Sequence, residues 1–206
     1  MSESIHRFFL SCQLSLVAVE RKKTLEAYLN EELFPEEREQ LKTLNHEARK
    51  IEFLGVRRLR NEMNLISPID YTITRRPFLG IQLDTFISIS HSKNYCALGV
   101  SSNEIGIDIE EINPRIERIA ERFVNIDEKQ FVSEEYILDL TKLWTMKEAM
   151  FKLNNRTGIE FKSELIIEEK YGENYFGKML NENGWRRVKL ECFQQSELVI
   201  SVCQYD

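Results

Sequence analysis

Two acidic side chains stand one residue apart in the segment NEIGIDIEE, residues 103–111. Isoleucines at every second position of this segment predict a β-strand with one apolar face. Asp108 and Glu110 then share the opposite face, roughly 6–7 Å apart. Because like charges this close repel unless a cation lies between them, the pair is either a solvated strand edge or half of a metal site. Gly106, on the same face, favours a ligand site, since a glycine lets a ligand approach the backbone.

A second group of reactive side chains lies in LWTMKEAMFKL, residues 143–153. Apolar residues at helical spacing predict the buried stripe of a helix: Leu143, Met146, Met150 and Leu153. The neighbouring stripe combines aromatic and charged residues: Trp144, Lys147, Glu148, Phe151 and Lys152. Glu148 and Lys152 are one turn apart and form either a surface ion pair or part of a site. The adjacent tryptophan favours a half-buried pocket wall.

A third group could bind an anion. Ser90 and His91 lie in SISHSKN, residues 88–94, where a predicted strand ends. They are either structural hydrogen-bonding residues or donors to a phosphate, and the sequence has no nucleophile elbow that would indicate a serine hydrolase. Arg49 on a predicted helix and two arginines in TRRPF, residues 74–78, add positive charge that would suit a polyanionic ligand.

Composition narrows the function classes. The chain has 206 residues and a formal net charge of −6, which argues against general nucleic-acid binding. No apolar run is long enough to cross a membrane, and the N-terminus does not read as a secretory signal, so we expect a cytoplasmic protein. The four cysteines lack the spacing of metal ligands and are expected to be reduced core residues: Cys12, Cys96, Cys192 and Cys203.

The elements that position these residues form an α+β fold. Residues 7–20 alternate like one strand, and a single long helix is predicted from Pro35 to about residue 63. Three short strands within residues 84–112 are expected to form one small central sheet. A helix follows Asn113, and the helix that carries Glu148 and Lys152 is predicted from about residue 134 to residue 153, before a strand-rich C-terminus.

Taken in order, these blocks resemble one family. The Ser-His pair, the Gly-Ile-Asp-Ile-Glu strand and the Trp-Thr-Met-Lys-Glu-Ala-Met-Phe-Lys helix are similar to the motifs of the 4′-phosphopantetheinyl transferases of the surfactin-synthetase-activating type. The resemblance extends over about residues 49–158. It implies two similar α/β halves packed with pseudo-two-fold symmetry, residues 1–103 and 104–206, with the active site in the cleft between them. The first half would bind the adenine and 3′-phosphate of coenzyme A, and the second would carry the metal and the catalytic helix.

The resemblance also implies a reaction. The 4′-phosphopantetheine group of coenzyme A would move to a serine of an apo acyl or peptidyl carrier protein, leaving adenosine 3′,5′-bisphosphate. Asp108, Glu110 and Glu148 would hold Mg²⁺, for which Mn²⁺ can substitute, and Lys152 would bind the pyrophosphate. Glu148 itself, or a water held by Glu110 and the metal, would deprotonate the serine; the sequence leaves both open. The protein would act as a monomer.

Further residues are assigned through the same resemblance. The implied coenzyme A ligands come from four segments: Arg49, Arg75, Arg76, Pro77, Ser90, His91, Lys147 and Lys152. Arg75 stands where many family members have a glycine, so contacts to adenine are expected to differ. The segment 112–124 would dock the carrier protein, with Ile116 and Phe123 supplying apolar contacts.

Two other functions are compatible with parts of this pattern. A non-catalytic module that binds coenzyme A or a nucleotide could keep the same pocket, although the complete set of carboxylates and Lys152 argues against it. A Mg²⁺-dependent nuclease could use Asp108 and Glu110, but the acidic net charge disfavours a nucleic-acid substrate.

Overall fold

The computed structural model describes residues 6–9, 15–82, 84–154 and 156–206. The chain divides into two compact units, Met1–Asn103 and Glu104–Asp206. Both contain helices and antiparallel sheet, so the predicted α+β class is confirmed. No helix of the described residues has the length and apolar character needed to cross a membrane.

The described residues of the first unit form two α-helices and six strands: β1 (His6–Phe9), β2 (Leu16–Arg21), α1 (Pro35–Thr43), α2 (Glu47–Glu62), β3 (Ile69–Tyr71), β4 (Pro77–Leu79), β5 (Phe86–His91) and β6 (Tyr95–Ser101). Four strands form an antiparallel sheet in the order β1-β2-β6-β5, and β3 pairs with β4 as a separate hairpin. The amphipathic face of α2 buries Val56 and Leu59 with Leu98 of β6. This packing brings the outer face of α2 next to the end of β5.

The single strand predicted over residues 7–20 is wrong, since that segment contributes two strands, β1 and β2, which pair with each other. Residues 10–14, including Cys12, lie outside the described residues. The single long helix predicted from Pro35 is also wrong. It is broken between α1 and α2, where Leu44 and His46 have extended backbone angles.

The break places the start of α1 against the side of α2. Glu37 of α1 is fully buried and accepts hydrogen bonds from the backbone N–H groups of Phe34 and Ile69, each at 3.1 Å. The same carboxylate pairs with Arg57 and Arg60 of α2, which are also fully buried. A continuous helix could not fold back in this way, so the helical pattern by itself gives no indication that these two arginines lie in the interior.

In the second unit, the part of the chain that the structure describes forms three α-helices and five strands: β7 (Gly106–Glu111), α3 (Ala120–Phe123), α4 (Tyr136–Leu153), α5 (Phe161–Glu164), β8 (Leu165–Tyr171), β9 (Asn174–Asn181), β10 (Gly184–Gln195) and β11 (Leu198–Tyr205). The strands form one antiparallel sheet in the order β7-β11-β10-β9-β8. The predicted small sheet of three central strands is therefore wrong: β5 and β6 belong to the first unit, whereas β7 pairs with β11.

Helix α4 lies on β7 and β11 and closes the core of the second unit. Its predicted buried stripe is confirmed, because Leu143, Met146, Met150 and Leu153 are all at most 1% exposed. The predicted helix start at Asn113 is also found, as a 3-10 helix, Pro114–Ile119, whose first turn is capped by the Asn113 side chain. Cys96, Cys192 and Cys203 are buried and reduced.

Candidate active site

The two carboxylates of the motif strand lie on β7, at the edge of its sheet. Ile107 and Ile109 are fully buried and fix the strand, while Asp108 is 5% exposed and Glu110 is half-buried. Asp108 pairs in register with Ser201 of β11. The alternation predicted from the sequence is therefore present, and both carboxylates project to one side of the strand.

Gly106 is packed against helix α4, whereas the sequence favoured a ligand at this position. A Cβ atom at this position would collide with the backbone carbonyl of Ala149 and would lie 2.8 Å from the backbone nitrogen of Leu153. The glycine therefore admits helix α4 rather than a ligand. This close approach brings the helix that carries Glu148 and Lys152 against the strand that carries Asp108.

Lys152 forms the direct link between helix and strand. Its Nζ atom lies 2.7 Å from Oδ1 of Asp108, in an ion pair that is mostly shielded from water. Lys152 is one turn beyond Glu148 on the same half-buried face of α4. The structure thus joins the two sequence motifs through a contact between a predicted phosphate ligand and a predicted metal ligand.

The other two carboxylates, Glu110 and Glu148, both have a pKa above the ordinary value of a glutamate. Burial, together with the negative charge of Asp108, raises the pKa of Glu110 to about 7. The same two causes raise the pKa of Glu148 to about 7, and the nearby charge of Lys152 partly opposes them. Three carboxylates and one ammonium thus interact in one region, and a further positive charge there would relieve the repulsion.

No ready-made metal centre is present in the described part of the chain, where no three histidine, cysteine, aspartate or glutamate side chains converge closely enough to hold an ion as they stand. The donor set nevertheless fits Mg²⁺, which is usually held by one or two carboxylates, with water and substrate phosphates completing its shell. Asp108, Glu110 and Glu148 offer hard oxygen donors, and two of them carry the raised pKa expected of crowded carboxylates.

Lys147 is the clearest correction to the predicted ligands. It is fully buried, and its Nζ lies 2.7 Å from Oε2 of Glu128, which is also fully buried. It also donates hydrogen bonds to the backbone carbonyls of Phe123 at 2.6 Å and Phe161 at 2.9 Å. With its three protons directed at protein oxygens, Lys147 is a structural residue in this fold and not a phosphate ligand.

In the first unit, the predicted phosphate ligands meet at a carboxylate. Glu52 Oε2 lies 3.1 Å from the guanidinium of Arg49, and Oε1 lies 3.5 Å from Nδ1 of His91. Lys22, which follows β2, joins them: its Nζ is 3.1 Å from Oε1 of Glu52 and donates to the Ser92 carbonyl at 2.7 Å. We define these four side chains, Lys22, Arg49, Glu52 and His91, as the basic cluster.

The sequence interpretation missed Lys22 and Glu52. Lys22 lies within a run of three basic residues, Arg21 to Lys23, that gives no periodicity signal. Glu52 is one turn beyond Arg49 on α2, so it reads as an ordinary helix-surface ion pair. Only the pairing of β2, β6 and β5 brings these residues to the end of β5 beside His91.

The other predicted coenzyme A ligands lie on β5 and in the hairpin between β3 and β4. Ser90 is buried within β5. Arg75 has a left-handed backbone, with φ of 64°, a conformation that glycine adopts without steric penalty. This explains why a glycine suits the position that Arg75 occupies. Arg76 and Pro77 line a mostly apolar cavity of about 220 Å³, together with Phe78 and Phe86.

One predicted docking residue is buried. Phe123 is fully enclosed in the core of the second unit, where its ring meets Trp144 edge-on at 5.1 Å between centroids. It packs there because α3 turns its apolar side towards α4, so the prediction that it supplies an exposed apolar contact is wrong. Ile116 is half-buried, and the exposed side of the same segment carries Arg115, Arg118 and Arg122.

Comparison with known proteins gives a consistent result. The sequence profile of the 4′-phosphopantetheinyl transferase superfamily matches residues 104–203. The chain is 35% identical over 114 residues to the 4′-phosphopantetheinyl transferase psf-1 of Bacillus pumilus, a segment that covers 53% of this chain and 44% of that protein. It is 31% identical over 81 residues to the 4′-phosphopantetheinyl transferase gsp of Aneurinibacillus migulanus, covering 37% of this chain and 33% of that protein.

The matched segments span less than half the length of either relative. The profile match nevertheless includes all three candidate metal carboxylates and Lys152. It confirms the resemblance read from the motifs, and residues 104–203 of this chain are similar to the 4′-phosphopantetheinyl transferase superfamily.

Proposed function

We propose that this protein transfers the 4′-phosphopantetheine group of coenzyme A to a serine of an acyl or peptidyl carrier protein. One observation carries the proposal. Asp108 and Glu110 on β7 lie against Glu148 and Lys152 on α4, within the region that matches the superfamily profile. This combination of carboxylates and one lysine suits a reaction in which a pyrophosphate bond breaks, because such transfer depends on positioning and charge stabilisation.

Asp108, Glu110 and Glu148 are the residues that would hold Mg²⁺. When bound, the ion would supply positive charge that offsets the charge developing on the transferred group and on the leaving group. Lys152 would bind the pyrophosphate. Its present bond to Asp108 places its ammonium group beside the carboxylates, within reach of the region that the phosphates would enter.

Glu148 is the proposed acceptor of the serine proton. A carboxylate whose pKa lies near neutrality accepts a proton more readily than an ordinary glutamate, and burial with the charge of Asp108 raises the pKa of Glu148 to about 7. Glu110 has a pKa raised to a similar value. Its position on β7, two residues from Asp108 on the same face of the strand, suits a metal ligand, and a water held by Glu110 would accept the proton when Glu148 itself binds the ion.

The first unit would bind the other end of coenzyme A. Arg49 and His91, with Lys22 as an additional donor, would contact the 3′-phosphate. The cavity beside Arg76 and Pro77 is apolar enough for a planar adenine ring. On the segment 115–122, the exposed Arg115, Arg118 and Arg122 outnumber the exposed Glu117 and Glu121, and this local excess of one positive charge would favour an acidic carrier protein.

We also propose that the two units are structural repeats. In each, the strand before the main helix pairs with the last strand of the unit, as β2 pairs with β6 and β7 with β11. In each, a buried glutamate accepts a hydrogen bond from the backbone N–H three residues before it and another from the strand that follows the main helix. These repeated contacts support the proposal that the two units share one internal topology.

The experiment is an intact-mass assay. Purified protein, coenzyme A and Mg²⁺ are incubated with several apo carrier proteins, and each carrier is expected to gain one phosphopantetheine group if it is a substrate. Glu148→Gln should lower the rate by about 10²–10⁴-fold while the folded structure is retained. Absence of transfer to every carrier, or full activity of the variant, would refute the proposal.

A non-catalytic coenzyme A-binding module is the second candidate. The ion pair between Lys152 and Asp108 favours it, because that pair neutralises the most buried of the three candidate metal carboxylates without a metal. Tight coenzyme A binding by calorimetry, unaffected by Mg²⁺ and without transfer to any carrier, would support this candidate over the enzyme.

A further inference from the structure

The basic cluster of the first unit contains a carboxylate that the proposed function does not use. Glu52 contacts side chains from three elements: Lys22 after β2, Arg49 on α2 and His91 at the end of β5. The three contacts measure 3.1, 3.1 and 3.5 Å. Glu52 thus lies where these groups converge, which is the position an incoming phosphate would need to approach.

Glu52 is held in its charged form. Burial by itself would raise its pKa, but the hydrogen bond from Lys22 and the charge of His91 outweigh it, and the pKa of Glu52 is lowered. The cluster therefore carries an internal negative charge opposite its basic groups. A cluster that served only to attract phosphate would bind it more tightly without this negative charge at its centre.

We propose that Glu52 is an affinity-setting residue: an internal counter-ion that competes with the 3′-phosphate of coenzyme A for Lys22, Arg49 and His91. This inference rests on the proposed function for the identity of the ligand. It goes beyond that function by assigning to Glu52 an unfavourable contribution to binding, which the substrate has to overcome.

Two effects of Glu52 oppose each other, and their sizes decide the sign. Holding Lys22, Arg49 and His91 in place would favour binding, but ion pairs of exposed side chains contribute little, and Arg49 and His91 are 65% and 41% exposed. Lys22 is only 12% exposed, but it is also held by its hydrogen bond to the Ser92 carbonyl. The repulsion between the Glu52 carboxylate and a phosphate dianion that contacts the same cations is larger. One negative charge would then lie at short distance from two others. The net effect of Glu52 is therefore to weaken binding.

Such weakening has a use in this reaction. Coenzyme A and the by-product adenosine 3′,5′-bisphosphate carry the same 3′-phosphate, so a very strong phosphate site would retain the by-product after transfer. A built-in counter-ion that re-forms its contacts as the phosphate leaves favours release.

The test measures dissociation constants by calorimetry for coenzyme A, 3′-dephospho-coenzyme A and adenosine 3′,5′-bisphosphate. Glu52→Gln, which is isosteric and removes only the charge, should bind the two 3′-phosphorylated ligands about tenfold more tightly, equivalent to about 1.4 kcal/mol. The affinity for 3′-dephospho-coenzyme A should change less than twofold. Glu47→Gln removes the same charge from an exposed position on α2 and should leave all three affinities unchanged.

A second variant tests whether the gain passes through the cluster. In a Lys22→Met background, Glu52→Gln should give a smaller gain for coenzyme A, because one of the groups for which Glu52 competes is missing. Thermal denaturation of each variant verifies that the fold is retained.

The proposal fails if Glu52→Gln binds coenzyme A with equal or lower affinity, or if the affinity for all three ligands rises by the same factor. It also fails if the wild-type chain does not distinguish coenzyme A from its 3′-dephospho form. If the binding pattern is as expected but no carrier protein is modified, the transferase proposal fails while the assignment of Glu52 stands.

Discussion

The two units bury the same kind of ion pair and complete it with different cations. In the first, Glu37 lies between the guanidinium groups of Arg57 and Arg60, all three fully buried. In the second, Glu128 pairs with one lysine, Lys147, which adds two hydrogen bonds to backbone carbonyls. Each carboxylate joins the segment before the main helix to that helix and to the strand after it. The two networks differ in whether the cation can lose its proton when its carboxylate partner is removed: an arginine cannot, and a lysine can.

A second contrast concerns the candidate ligand groups. In the first unit the groups predicted to bind an anion contact a carboxylate, Glu52. In the second unit a carboxylate predicted to bind a cation contacts an ammonium, that of Lys152. Each unit therefore contains, beside its proposed site, an internal charge of the same sign as the proposed ligand. Ligand binding would then exchange one ion pair for another and leave no isolated buried charge.

The largest expected effect separates the two buried networks. Glu37→Gln should lower the free energy of unfolding by about 5 kcal/mol, because it leaves two buried arginines that cannot lose their protons. Glu128→Gln should cost about 3 kcal/mol, since burial lowers the pKa of Lys147 and lets it become neutral. Urea unfolding, with hydrogen exchange followed separately in each unit, measures both.

Glu39→Gln is the matched control for these variants. Glu39 is on α1 with Glu37 but is exposed, and its ion pair among the described residues is with Lys42 on the same helix. Its replacement should change stability by less than about 0.5 kcal/mol. Equal losses for Glu37→Gln and Glu128→Gln would contradict the argument that arginine and lysine respond differently.

The next prediction compares two glycines at helix–sheet contacts. Gly106→Ala should destabilise the second unit by about 3 kcal/mol, because its Cβ would meet the backbone of α4, which cannot yield locally. It should also abolish transfer by separating Lys152 from Asp108. Gly55→Ala in the first unit should cost about 1 kcal/mol or less, since its Cβ would meet the Cys96 sulfur at 2.7 Å and the Tyr28 hydroxyl at 3.3 Å.

The smaller cost of Gly55→Ala has two physical reasons. The neighbours of its Cβ are buried side-chain atoms and not backbone, and part of the cost of moving them is offset because alanine is a better helix former than glycine by about 1 kcal/mol. Urea denaturation of the two variants decides the matter. A loss at Gly55 as large as that at Gly106 would show that the side chains around α2 are as rigid as the backbone of α4.

A smaller effect is expected at the internal ammonium. Lys152→Met should raise the affinity for Mg²⁺ about fivefold in the absence of coenzyme A, because the metal no longer competes with the lysine for Asp108. Lys142→Met removes the same charge elsewhere on α4 and should have little effect. Calorimetric titration with Mg²⁺ provides the measurement, and a weaker Mg²⁺ affinity of Lys152→Met would show that Lys152 does not compete with the ion.

The smallest predicted effect is the loss of stability at high pH caused by one buried thiol in each unit, Cys96 and Cys192. Burial raises the pKa of Cys96 to about 12 and that of Cys192 to about 11. An acid whose pKa is higher in the folded state costs stability once the unfolded thiol ionises, so stability should fall as pH rises above about 8.5. In a Cys12→Ser background, both thiols should react slowly with a thiol reagent at pH 8 until the protein is unfolded. Rapid labelling of either one would contradict its burial.

The sequence predicted the parts of the site that local patterns encode. The alternation around Asp108 and the helical spacing around Glu148 placed these residues on a strand and a helix, as found. It could not show that Gly106 admits a helix rather than a ligand, because that depends on which element packs on β7. The same holds for the sheet to which β7 belongs, which is set by pairing with β11, far along the chain.

Buried charges were the main source of error. Lys147 shares a motif with Glu148, and nothing in that motif indicates that Glu128 and two backbone carbonyls enclose its ammonium group. Likewise, the helical pattern around Arg57 and Arg60 does not show that both are buried, because the break before α2 is what brings Glu37 against them. Partners from distant segments decide burial, and helical periodicity carries no information about them.

The measurement that tests the central claim most directly is the intact mass of an apo carrier protein after incubation with coenzyme A, Mg²⁺ and the full chain. The wild-type chain should convert the carrier to its phosphopantetheinylated form. Arg49→Gln, altered in the first unit, should raise the KM for coenzyme A with little change in kcat. Glu148→Gln, altered in the second, should lose transfer but still bind coenzyme A. An unmodified carrier with the wild-type chain, or full transfer by Glu148→Gln, would contradict the account.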